Sequence, residues 1–205
     1  MLHLESVEPH TLGLLRRLTI DPMLTDNFLV GGTSLALQLG HRKSVDLDLF
    51  THKPFDSVAL LRHLQDNYRD VQELTASNVI FISVVEGIKV DCVQFRYPFA
   101  FPLIETEGVR LADMRDIASM KLDTVMKRGS RKDFYDMYYL FERFSPLEIF
   151  EWHKHMFKHE TNFHVIRSLT YFEDAEISEH PFVFDNRITW VVVKKRMIDI
   201  VKTYF

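Results

Sequence analysis

The sequence predicts an α+β protein: a mixed sheet flanked by helices over residues 1–110, followed by a helical region over 111–205. Three observations predict it. Short β-rich runs bounded by turn residues are confined to the front half. From Asp113 onward the spacing of apolar residues is helical, broken at Gly129-Ser130 and again before Pro146. The hydrophobic fraction of 46%, with only 7 Gly and 7 Pro in 205 residues, is that of a packed domain rather than a disordered or fibrous chain.

Taken in order, residues 9–20 place Leu12, Leu15 and Leu18 on one helical stripe. Phe28-Leu29-Val30 is a short strand that breaks at Gly31-Gly32. Thr33 to Leu39 reads as a helix with Gly40 as its C-cap. Ser44 to Phe50 alternates as a strand does, with Val45, Leu47 and Leu49 expected to enter the core. Residues 55–68 are expected to form a helix with Val58, Leu61 and Leu64 as its apolar stripe. The runs 79–85 and 88–95 flank Glu86-Gly87 and form a hairpin. Pro98 and Pro102 mark an irregular connection. Asp113 is an N-cap for a helix reaching about Arg128; helices over 132–144, from Pro146 and over 187–205 complete the chain.

A formal net charge of -4 argues against broad, non-specific nucleic-acid binding but leaves room for a local basic groove. Cys92 is the only cysteine, so no internal disulfide forms, as expected for a reducing cytosol. The N-terminus lacks a cationic start followed by an apolar run, and no apolar stretch approaches the roughly 20 residues of a membrane span. The expectation is a soluble, cytoplasmic protein without membrane contact.

The strongest chemical signal is Gly31-Gly-Thr-Ser34, a helix-length gap, then Asp46-Leu-Asp48. On a strand, residues two apart point the same way, so Asp46 and Asp48 project together. Adjacent carboxylates repel, and a divalent cation is one remedy; Mg²⁺ favours oxygen ligands and keeps room for phosphates. Asp91, on a strand that could lie beside the first, is a third candidate ligand, and three carboxylates can hold two metals. As isolated features, a polar strand face and an ordinary turn would explain all of this equally well. Gly31 and Gly32 leave the backbone open to a phosphate, and Thr33 and Ser34 open a helix whose first N–H groups and dipole favour anions.

Lys121 and Arg128, seven apart, share a helix face, extended by Lys127, Arg131 and Lys132. Such a cluster could neutralise a triphosphate, although surface salt bridges are the plainer reading of Lys127 and Arg131. Asp133 and Asp136, three apart, face together on the next helix. Of His153, His155, His159 and His164, only His155 and His159 have metal-ligand spacing, and no third ligand accompanies them. The aromatic run Phe134, Tyr135, Tyr138, Tyr139, Phe141 reads as core.

Together, Gly31–Ser34 with Gly40-His-Arg-Lys-Ser-Val-Asp-Leu-Asp-Leu-Phe50, and then the stretch from Lys121 through Arg128 to Asp133-Phe-Tyr-Asp136, resemble the AbiEii/AbiGii toxin family of nucleotidyltransferases. The resemblance implies a fold like that of DNA polymerase β, an NTP substrate, and Mg²⁺ (or Mn²⁺) as cofactor. It implies an acceptor that is RNA, such as tRNA, or protein, and a role as the toxin of a toxin–antitoxin or phage-defence pair with a cognate antitoxin. By the same resemblance Gly32, Thr33 and Ser34 bind phosphates and Asp46 and Asp48 bind metal. Lys121 holds the triphosphate, and Asp133 and Asp136 complete the site, Asp133 as base or as orienting partner of Lys121. A non-catalytic NTP-binding scaffold and a metal-dependent phosphohydrolase are the alternatives.

Overall fold

The computed structural model describes residues 1–158 and 161–205. His159, paired with His155 in the sequence reading, lies outside the described residues. The chain divides into two compact units. The first comprises residues 1–40, 44–98 and 102–113; the second comprises 114–205 with His41–Lys43 and Phe99–Phe101.

The first unit is a seven-stranded mixed sheet with three helices. Its strands are β1 (Phe28–Leu29), β2 (Leu47–Thr51), β3 (Val71–Ala76), β4 (Ile80–Val85), β5 (Ile88–Gln94), β6 (Ile104–Thr106) and β7 (Val109–Leu111), in the order β3-β4-β5-β2-β1-β7-β6. β2 lies parallel to β5 and antiparallel to β1. The helices are α1 (Pro9–Thr19), α2 (Gly31–Leu39) and α3 (Ser57–Asn67). α3 is started by Asp56, whose carboxylate accepts from the N–H groups of Val58 and Ala59. α2 ends at Gly40 with φ 64°, the left-handed cap its glycine makes cheap. Glu86 and Gly87 both take positive φ in the β4–β5 turn, the backbone a two-residue hairpin requires.

One face of the sheet is the core. Leu47 and Leu49 of β2, Phe81 and Val85 of β4, and Val90 and Cys92 of β5 pack with Leu12, Leu14, Leu15 and Leu18 of α1 and Leu60 and Leu64 of α3. Alternation therefore turns Asp48 and Phe50, with Asp91 and Val93 beside them, to the opposite face.

Three expectations change. β2 begins at Leu47, leaving Val45 56% exposed in the preceding segment. The buried stripe of α3 is Leu60 and Leu64, and Val58 faces solvent. Strands β3, β6 and β7 were not expected: nearly every residue of β3 is exposed, so it shows no apolar alternation, and β6 and β7 are three residues each.

The second unit is helical: α4 (Met114–Lys127), α5 (Arg131–Arg143), α6 (Pro146–Phe157), α7 (Phe163–Ser168), α8 (Glu173–Glu176) and α9 (Trp190–Tyr204). A Ser145–Glu148 capping box starts α6. The core unites Ile117, Leu122 and Val125 of α4 with Phe134, Met137 and Leu140 of α5 and Val193 and Met197 of α9. Trp190 stacks on Tyr135 and meets Phe134 edge-on. Phe134, Tyr135 and Phe141 are thus core residues, as their spacing suggested, while Tyr138 and Tyr139 are half-buried. Among the described residues no helix is long and apolar enough to cross a membrane.

Candidate active site

In the sheet unit, parallel pairing of β2 with β5 sets Asp48 directly opposite Asp91. Asp46 sits one residue before β2, and its backbone carbonyl accepts from the buried Thr33 hydroxyl, which also reaches Ser44 Oγ at 2.9 Å. Thr33 thereby fixes the segment that presents Asp46. Ser34 is fully buried, and its hydroxyl accepts from the Gln38 amide at 3.1 Å. In this geometry both hydroxyls serve the protein itself. The turn between β1 and α2 is drawn onto the strand: Val30 N–H donates to the Asp48 carbonyl at 2.9 Å. Gly31 takes φ 67°, and a Cβ there would collide with the Asp48 carboxylate. Glycine is required twice over, for its backbone angle and for the space it leaves. Gly32 follows in the first turn of α2, where N–H groups lack intrahelical acceptors.

Asp91 Oδ2 accepts from Lys89 Nζ at 2.6 Å, whereas its Oδ1 is buried without a hydrogen-bond partner. A buried carboxylate oxygen left unsatisfied costs free energy, so it suits a site completed by a cation. Among the described residues no three His, Cys, Asp or Glu side chains stand close enough to form a ready cation cage. The donor set is nonetheless all-oxygen and carries two carboxylates side by side. That fits Mg²⁺, which is usually bound through one or two carboxylates with substrate phosphates and waters supplying the rest.

The helical unit holds the other cluster. Lys121 of α4 reaches Asp136 Oδ2 at 2.6 Å and Asp133 Oδ1 at 3.0 Å. Arg42 grips Asp136 in a fork, Nε to Oδ1 at 2.7 Å and Nη2 to Oδ2 at 2.9 Å, and His41 Nε2 adds 2.7 Å to Oδ1. Ser130 donates to Asp133 Oδ2, and Arg128 Nε lies 3.4 Å from the same oxygen. Helical spacing explains why Asp133 and Asp136 turn the same way. Burial works against the charge on each, but Arg42 and Lys121 hold Asp136 well below the usual carboxylate range, and Lys121 and Ser130 lower Asp133. Burial likewise opposes the Lys121 ammonium, yet Asp136 and Asp133 raise its pKa. Burial lowers the pKa of His41 despite its bond to Asp136. Lys121 is therefore enclosed and fully engaged by carboxylates. Arg128, with 63% of its side chain exposed, borders a cleft with Lys127, His164, Arg167 and Tyr171.

Sequence reasoning assigned no role to His41 and Arg42. The signal was weak: two basic residues directly after the Gly40 cap, whose acidic partner lies more than ninety residues away.

The sheet unit, with its paired strand carboxylates beside a glycine turn, and the helical unit together have the nucleotidyltransferase fold. A Helicobacter pylori protein described as a candidate nucleotidyltransferase superposes with a TM-score of 0.59 at 18% identity, over 95% of this chain and 96% of that chain. The MenT4 nucleotidyltransferase toxin of Mycobacterium tuberculosis H37Rv does so with a TM-score of 0.54 at 13% identity, over 93% and 80% of the two chains. Residues 13–111 match the family model described as the nucleotidyl transferase AbiEii toxin of type IV toxin–antitoxin systems. An uncharacterized protein of Aquifex aeolicus (strain VF5) is 37% identical over 161 residues, 73% of this chain and 75% of its own length. The chain belongs to the AbiEii nucleotidyltransferase toxin family.

Proposed function

We propose that the protein is a Mg²⁺-dependent nucleotidyltransferase that moves a nucleoside monophosphate from an NTP onto an RNA or protein acceptor. In this reading it acts in the cytoplasm as the toxin of a pair and is restrained by a cognate antitoxin. The observation that carries the chemistry is the Asp48–Asp91 pair, with one buried oxygen of Asp91 lacking a protein partner and the Asp48 carboxylate lying against the Gly31 backbone.

Asp48 and Asp91 would hold the cation, which when bound would neutralise phosphate charge as a Lewis acid, and Asp46, one residue before β2, is the further candidate ligand. Gly31 and Gly32 let phosphates approach the first N–H groups of α2, where the helix dipole favours anions. Thr33 holds the Asp46 backbone in place, and Ser34 stiffens the same turn. In the helical unit Arg128 is a cation exposed enough to meet a phosphate. Lys121 is a positioning residue, locking Asp133 and Asp136 and through them Arg128, Arg42 and His41.

Incubation with each α-labelled NTP, Mg²⁺ and total RNA or protein tests this. The wild type is expected to place label in a macromolecule, and Asp48→Asn to lose at least about a hundred-fold in rate, the scale of removing one preorganised electrostatic group. Release of free phosphate without incorporated label identifies a phosphohydrolase and overturns the proposal, as does undiminished labelling by the variant.

A further inference from the structure

Asp48, Asp91 and the glycine turn belong to the sheet unit, whereas the cleft beside Arg128 belongs wholly to the helical unit. Its volume is about 610 Å³, within the range of roughly 300–1,000 Å³ usual for small-molecule sites. The end of α4 and the residues after it, Val125 to Gly129, form one wall; α7 and the chain that follows it form the other. Val125 and Val165 are buried and give the cleft an apolar lining. His164 and Arg167 are three apart on α7 and so share a side of that helix.

Among the described residues that line the cleft, Lys127, Arg128 and Arg167 are set against a single acid, Asp174. Lys127 and Arg128 stand at the negative end of α4, where cations are favoured, and Asp123 engages Lys127 at 2.8 Å. Arg167 adds charge from the other wall; it is exposed, and no acid among the described residues pairs with it. Arg128 and Arg167 thus offer two guanidinium groups, each able to present paired N–H donors to a phosphate. Tyr171 lines the same cleft and is 49% exposed. Its hydroxyl donates to Glu173 Oε2 at 3.0 Å, and among the described residues no ring or cation packs on its faces. An open ring face beside two guanidinium groups suits a flat heterocycle that carries phosphate.

We propose that this cleft is a second nucleotide site, in which Arg128 and Arg167 hold the phosphates of a free nucleoside triphosphate and Tyr171 stacks on its base. The inference extends the phosphate contact ascribed to Arg128 and does not rest on the transfer reaction. Binding here needs neither a divalent cation nor Asp48, because guanidinium groups meet the phosphates directly. A free nucleotide fits better than a polynucleotide. The cleft has room for one nucleotide, and a chain with a net charge of -4 exerts little long-range pull on a polyanion. A ring face accepts any base, so the site binds nucleotides as a class.

Calorimetry on the full chain in EDTA tests this, with ATP as the probe and inorganic triphosphate and a single-stranded RNA of about a dozen nucleotides beside it. ATP is expected to bind saturably, and triphosphate, which has no base to stack, about ten-fold more weakly. Tyr171→Ala and Arg167→Ala are each expected to lower ATP affinity about ten-fold, while Tyr171→Phe, which keeps the ring face, holds it. Asp48→Asn is expected to bind ATP in EDTA as the wild type does. Both cleft side chains are exposed, so circular dichroism is expected to show folded variants. Absence of ATP binding in EDTA overturns the assignment, as does binding indifferent to both alanine variants. Binding lost with Asp48→Asn places the nucleotide in the sheet unit and overturns it too, and so does binding of the RNA in place of ATP. A protein that binds ATP in this way but labels no macromolecule sinks the proposed function and spares the second site. A transferase that binds no ATP in EDTA does the reverse.

Discussion

Two acidic pairs, Asp48–Asp91 in the sheet unit and Asp133–Asp136 in the helical unit, are built to opposite ends. Asp133 and Asp136 are wholly buried, and their oxygens are met by Lys121, Arg42, His41, Ser130 and Arg128. Asp48 and Asp91 are half-buried, stand directly across a strand pair, and include an oxygen that no protein group satisfies. The lesson is that a carboxylate's role is read from who neutralises it. A pair gripped from all sides by buried groups is architecture, whereas Asp91, met by Lys89 at one oxygen and by no hydrogen bond at the other, leaves a place for something to bind.

The comparison breaks most readily at Asp136. Asp136→Ala strands Arg42 and Lys121 in the interior, and urea denaturation is expected to show a loss of about 3–5 kcal/mol, the cost of splitting a buried pair. Asp48→Asn keeps the size of the side chain, and its stability is expected to fall by no more than about 1 kcal/mol while transfer is lost. Equal destabilisation by the two substitutions would erase the distinction. Gly31→Ala is a finer probe. A left-handed alanine costs roughly 1–2 kcal/mol, and its methyl displaces Asp48, so activity is expected to fall much further than the melting temperature suggests.

Acid titration sharpens the contrast further. Asp133 and Asp136 have folded pKa values below the unfolded value of about 3.9. Their contribution is present above that value and is lost as pH falls through the lower folded values. His41, also lowered, adds a milder loss that begins as pH drops below its unfolded value of about 6.5, because the unfolded ring takes up a proton first. Denaturation midpoints are expected to decline gently below about pH 6.5 and steeply below about pH 4. A flat profile down to pH 3 would show that the helical cluster contributes no stability on the scale supposed.

Much of the sheet site was legible because it is local. Gly31-Gly32, Asp46 and Asp48 sit within eighteen residues, and strand parity alone decides which way Asp48 looks. Asp91 was legible as a candidate, but its register against Asp48 is a property of the folded sheet. The helical cluster was half visible. Spacing sets Asp133 and Asp136 on one face, yet nothing local reveals that Lys121 is buried between them or that Arg42 closes on Asp136 from so distant a segment. The misplaced parts have simple causes. Val45 precedes the strand, so its parity carries no meaning, and Val58 lost the inner face of α3 to Leu60. The β6–β7 hairpin did carry a signal in Glu107-Gly108, both at positive φ, the same pair type that marks the β4–β5 turn.

The alternation of β2 has an evolutionary corollary. Leu47 and Leu49 are anchored under α1 and α3, and their burial sets the outward aim of the acidic residue between them. Inserting or deleting a single residue in this strand would push a carboxylate into oil and a leucine into water together. Mutations that shift this segment's frame are therefore filtered by folding before catalysis is ever tested, and the reactive face is inherited along with the hydrophobic one.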